Sequence, residues 1–103
     1  MSRRAQIEAM LAQDPQDAFL RYALSMELLS AGEPAAAQAE LQRLLADDPG
    51  YIPAYLQAAQ LAVQLGQPDQ ALAVLEAGIP RAQAAGDAHA AEEMAGLRNR
   101  LSS

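Results

Sequence analysis

One arrangement of side chains in this 103-residue chain has the types and spacing to hold a metal or move a proton: His89 with Glu92 and Glu93. Residues three and four apart share a helix face, so an imidazole and two carboxylates would converge there. A lone histidine beside acidic residues is equally the composition of a solvated helix start, and Glu92 and Glu93 suit the positive end of a helix dipole. The solvated reading is the expectation, with no metal and no cofactor. The chain has no cysteine, which removes disulfides, thiolate zinc sites and cysteine nucleophiles and is compatible with a reducing compartment. None of Ser2, Ser25, Ser30, Ser102 and Ser103 sits in a recognisable nucleophile turn, and no glycine-rich phosphate loop is present. Enzymatic activity is not expected.

Charge narrows the classes further. The formal net charge is -6, lysine is absent, and the basic side chains are seven arginines with no clustered stripe. Phosphate backbones are held through clustered basic charge, so nucleic acid is not an expected partner. Arg3-Arg4 could open a signal peptide, but Glu8, Gln13 and Asp14 follow and no long apolar run appears. A membrane span needs about 20 apolar residues, so no membrane association is expected. A cytoplasmic protein is the default expectation.

The elements that carry these side chains read as helices. The content is 51% apolar and only 4% aromatic, and the β-branched residues are Ile7, Ile52, Val63, Val74 and Ile79, so local preference favours helix and no strand is expected. Ile7, Met10 and Leu11 fall at helical spacing and predict an opening helix over 3–13, stopped by Asp14-Pro15. The stretch from about Gln16 to Ala31 is apolar around much of its circumference, more than one buried stripe requires, which gives that helix two surfaces to serve. Gly32 stands at a left-handed helix end and Pro34 in the first turn of the next helix; Gly66 and Pro68 repeat the pair. Leu41, Leu44 and Leu45 close one helix before Asp47-Asp48-Pro49-Gly50, and another runs from about Ile52 to Leu65. A further helix from Pro68 carries Leu72, Val74, Leu75 and Ile79, and Pro80 predicts a kink or an early end, with resumption to Ala85. Gly86-Asp87 then ends one helix and caps another, whose stripe is Ala90, Ala91, Met94, Leu97 and Leu101.

The chain also lines up with itself at an offset of 34 residues. Leu11-Ala12, Asp14-Pro15, Gly32, Pro34, Ala37, Ala39 and Leu41 recur as Leu45-Ala46, Asp48-Pro49, Gly66, Pro68, Ala71, Ala73 and Leu75. A fixed period in this range marks a repeat whose units share a core. These residues resemble the tetratricopeptide repeat (TPR) family. The resemblance places small crossing residues at Ser25 and Ala59, turn glycines at Gly32 and Gly66, alanines at Ala37 and Ala71, and large residues at Leu41 and Leu75. It departs at Arg21, where the second unit has the aromatic Tyr55, at Gly78 in place of an alanine, and at the second exit, which lacks Asp-Pro. The layout is similar to that of small stand-alone bacterial members. The fold it implies is all-α: antiparallel helix hairpins stacked as a short α-solenoid with N- and C-terminal capping helices. As one domain over 1–103, that gives an opening helix 3–13, repeats over 16–48 and 50–85, and a closing helix 87–101.

In that family the first helix of each hairpin lines a concave side, and its members mostly bind proteins or peptides without catalysis. Helical spacing puts Phe19, Tyr22, Met26 and Leu29 on one stripe; Pro53, Leu56, Gln60 and Val63 are the counterparts, with Gln57 alongside. The resemblance therefore implies an apolar groove with occasional amides, suited to a helix or an extended peptide of an unidentified protein. The same stripe suits a homodimer face or packing within the short stack, which leaves a self-associating module as the second reading. Family members that grip a C-terminal carboxylate use lysine, arginine and asparagine; Tyr22, Met26 and Gln57 stand at those places, so charge complementarity for such a tail is missing.

Overall fold

A computed structural model describes residues 2–103. Among them are six α-helices and no strand: α1 Arg3–Gln13, α2 Ala18–Ser30, α3 Pro34–Asp47, α4 Pro53–Gln64, α5 Pro68–Ala84 and α6 Ala88–Ser102. Contacts between residues divide the chain into two compact units, one ending at Asp48 and one beginning at Pro49. The first contains α1, α2 and α3; the second contains α4, α5 and α6.

Capping chemistry explains where the helices start and stop. Gly32, Gly66 and Gly86 have φ of 75°, 73° and 74°, a left-handed conformation that costs an L side chain dearly. At each, the glycine N–H and the N–H of the next residue fold back onto the last turn, as in Gly32 to Leu29 O at 3.1 Å and Glu33 to Leu28 O at 2.9 Å. This pair of bonds satisfies carbonyls that the helix leaves open and reverses the chain. Pro34, Pro53 and Pro68 each occupy the first turn of a helix, where their missing N–H costs nothing. Asp17 and Asp87 cap α2 and α6 by accepting from Leu20 N and Ala90 N, both at 3.0 Å. The Asp17 cap puts the start of α2 at Ala18 rather than near Gln16, because Pro15 and Gln16 form a turn.

Each unit has its own core, and the internal repeat sets it. Ala37 and Ala71 are fully buried, as are Leu41 and Leu75. The crossing residues Ser25 and Ala59 are likewise inaccessible, and the Ser25 hydroxyl donates to the Tyr22 carbonyl at 2.6 Å, so its burial leaves no polar atom orphaned. The helix does not end at Pro80: α5 continues to Ala84. Ile79 and Ala82 are buried on its inner side, whereas Glu76, the residue whose carbonyl loses its donor, and Pro80 are both exposed.

Two of the three departures from the repeat pattern, Arg21 and Gly78, are linked through the position that Tyr55 fills in the second unit. In the second unit the Tyr55 ring lies against Gly78, where an added Cβ would come within 2.7 Å of Tyr55 Cγ and 2.8 Å of Met94 Sδ. The Tyr55 hydroxyl donates to the Pro49 carbonyl. In the first unit the 34-residue counterparts are Arg21 and Pro15, and Arg21 Nε donates to the Pro15 carbonyl at 2.9 Å while its Nη1 meets Asp47 at 2.6 Å. A slender guanidinium therefore makes the phenol's hydrogen bond, and Leu44 occupies the counterpart of Gly78, itself almost fully buried.

Candidate functional site

The stripe residues divide by helix. On α2, Leu24, Ser25 and Leu28 turn into the first unit's core, while Tyr22, Met26 and Leu29 are half-buried and Phe19 is 66% exposed. Residues at these four positions share one side of a helix of 3.6 residues per turn, so α2 carries an inward face and an outward apolar face. On α4, Leu56 and Gln57 are half-buried and Pro53, Gln60 and Val63 are exposed, with Ala58, Ala59 and Ala62 buried on the other side. None of the stripe residues is consumed by the core.

The surroundings of the α4 stripe are more polar than its own residues indicate. Within the second unit, Leu56 and Gln60 share a shallow pocket of about 280 Å³ with Glu92, Glu93, Gly96 and Arg100 of α6. The closing helix packs on α5 through Ala91, Met94 and Leu97 and flanks the α4 stripe with charged side chains. These neighbours were missed by sequence reasoning because they lie beyond the second hairpin, where the 34-residue register lapses. His89 Nε2 and Glu93 Oε1 are 2.7 Å apart on the exposed start of α6. Among the described residues no group of three or more histidine, cysteine or acidic side chains is placed to hold a metal ion.

A second apolar surface lies in the first unit. Ile7 and Met10 of α1 and Phe19, Leu20 and Ala23 of α2 wall a groove of about 320 Å³, with Arg3 and Gln6 at its edge. Met10 was expected in the stripe of the opening helix, yet it is 48% exposed, because α1 packs mainly on α2 and leaves this side open. Ion pairs fasten the helix in place: Arg3 to Glu27 at 2.9 Å and Arg4 to Glu33 at 2.7 Å.

Small residues at helix crossings, left-handed glycines at the turns and a buried alanine-leucine pair per hairpin make up this architecture. A family model described as tetratricopeptide repeat matches residues 28–95, more than half of the chain. The chain belongs to the tetratricopeptide repeat family. No curated protein matches it. Among solved structures, a TPR domain protein from Salinibacter ruber is 30% identical with a TM-score of 0.81, covering 85% of this chain and 89% of that one. The TPR2B domain of yeast Sti1, solved in a complex with pHsp70, matches with a TM-score of 0.87 at 20% identity, covering 96% of this chain and 79% of that one. PcrH, solved with the chaperone binding region of PopD, matches with a TM-score of 0.88 at 19% identity, covering 96% and 75%. The last two are likenesses of fold. Among the described residues no helix of this TPR chain is long and apolar enough to cross a membrane.

Proposed function

We propose that this TPR chain is a cytoplasmic, non-enzymatic interaction module, an adaptor or small chaperone whose first-helix stripes, one in each unit, are the surfaces offered to a peptide or helix of another protein. The contact residues are Phe19, Tyr22, Met26 and Leu29 on α2 and Leu56, Gln57, Gln60 and Val63 on α4. The observation that carries the reading is the second face of α2: aromatic, methionine and leucine side chains stand in line outside a core that the opposite face already fills. Contiguous apolar surface of this kind marks interaction sites, and methionine adapts its shape to different partners. The solved complexes of Sti1 and PcrH, in which the same fold holds another polypeptide, lend support. A net charge of -6 favours a protein over a nucleic acid as the partner. Ser25 and His89, the residues closest to catalytic types, are respectively locked in a helix crossing and exposed beside Glu93, which suits a binding role for the chain.

The test places a photo-crosslinker at Tyr22 and, as a control, at the exposed Gln70 of α5, in cell extract. Crosslinks to a foreign polypeptide at position 22 alone, lost in Met26→Ser with helicity unchanged, are the expected result. Equal labelling from both positions, or loss of helicity in Met26→Ser, removes the assignment of this face.

A further inference from the structure

Helices α2 and α6 begin on the same aspartate cap but are covered differently. Counted from Asp17 and Asp87, the eighth residue is Ser25 in α2 and Ala95 in α6, and the eleventh is Leu28 in α2 and Arg98 in α6. Each of the two packs against the helix before it, α2 on α1 and α6 on α5. In the first unit α3 then closes the other side of α2 with Ala37, Leu41 and Leu44, so that Ser25 and Leu28 are buried. Within the second unit no described helix takes the place of α3, and Ala95 and Arg98 are only half-buried. The uncovered side is a groove of about 420 Å³ between α5 and α6. Ile79 and Pro80 wall it from α5 and Ala91 and Ala95 from α6, with Glu92 towards the start of α6 and Arg98 towards its end. None of the stripe residues of α2 and α4 lines it.

We infer that this groove takes an amphipathic helix of another protein, seated antiparallel on α6 as α3 is seated on α2. The hairpin of the first unit sets the direction: Glu33 N at the start of α3 donates to Leu28 O at 2.9 Å, and Asp47 at its end meets Arg21 at 2.6 Å. The incoming helix therefore starts beside Arg98, the counterpart of Leu28, and ends beside Ala91 and Glu92. Helix separation is set by the side chains at the crossing, and Ala95 keeps that crossing as small as Ser25 and Ala59 keep theirs. The buried face of α3 supplies the matching pattern, an alanine followed four and seven residues later by leucines. Charge then selects among helices of that pattern. Among the described residues, His89 and Glu93 pair on α6, whereas Glu92 and Arg98 have no ion-pair partner. A helix with an acidic first turn and a basic last turn meets Arg98 with the one and Glu92 with the other, and the same distribution suits its own dipole.

The probe is a synthetic peptide with the sequence of residues 33–47, blocked at both ends, in which Glu33 provides the acidic start and Asp47→Arg the basic end. It is titrated into the full chain to about 1 mM, the range that a small interface and a peptide that must first become helical call for, while backbone amide resonances are followed by NMR. Saturable shifts centred on Ile79, Ala91 and Ala95, with Phe19, Tyr22 and Met26 unmoved, are the expected result. Arg98→Glu in the chain should weaken binding several-fold, and a second peptide that also carries Glu33→Arg should recover it on that variant. Ala95→Leu fills the crossing and should abolish binding, with helicity checked by circular dichroism; the Arg98 exchange decides the matter by itself should that variant unfold. No shifts at about 1 mM, shifts centred on the α2 or α4 stripe, an affinity indifferent to Arg98→Glu, or no recovery with the reversed peptide each overturns the proposal. Crosslinking from Tyr22 reads a different face, so the two assignments fail separately.

Discussion

The exchange of Tyr55 for Arg21 between the two hairpins shows how one position can keep its hydrogen bond and change everything else. Both side chains reach the carbonyl of the proline six residues upstream, but a phenol ring occupies space that a guanidinium leaves open. The ring fits because residue 78 has no Cβ. Gly78→Ala should therefore destabilise the protein by about 1–3 kcal/mol through overpacking against Tyr55 and Met94, read as a lower urea midpoint. Combining it with Tyr55→Leu should recover part of that loss, and strict additivity of the two would show that they do not share the space. From sequence the two departures stood as separate irregularities, because the repeat offset aligns residues between hairpins and carries nothing about which of them touch within one.

Among the elements, helix starts and reversals were legible because they rest on local chemistry: Asp87, the N1 prolines and the glycines act within a turn of where they sit. The fate of the helix at Pro80 was not legible, since continuation depends on which side of the helix the proline faces. With Ile79 and Ala82 buried on the inner side and Pro80 exposed, tertiary packing holds α5 together across the break. Pro80→Ala should restore the missing hydrogen bond to Glu76 O and raise stability by up to about 3 kcal/mol, seen as a higher melting temperature with unchanged helix content. A drop in stability would mean that the proline ring itself packs. The two outward faces divided in the same way: the α2 stripe follows from helical spacing, whereas the charged flank on α4 and the exposure of Met10 depend on which helix lies beside which.

At the scale of the whole molecule, stability is held in two cores rather than one. Leu41 and Leu75 are equivalent in the repeat and both inaccessible, so Leu41→Ala and Leu75→Ala should each cost about 2–5 kcal/mol, the spread reflecting how far each site can relax. In repeat proteins stability is a sum of unit and neighbour contributions, so the losses should be local in the first instance. Amide hydrogen exchange should speed up most in α2 and α3 for Leu41→Ala and in α4 and α5 for Leu75→Ala; identical profiles for the two variants would show one indivisible folding unit. The three positive-φ glycines bear on the molecule's chemistry in another way. Gly32, Gly66 and Gly86 hold a backbone shape that is native to the mirror-image amino acids, and all three are exposed. A synthetic chain carrying D-alanine at its reversals would thus meet its own geometry there, and its handedness could be inverted at three points without altering a single right-handed helix.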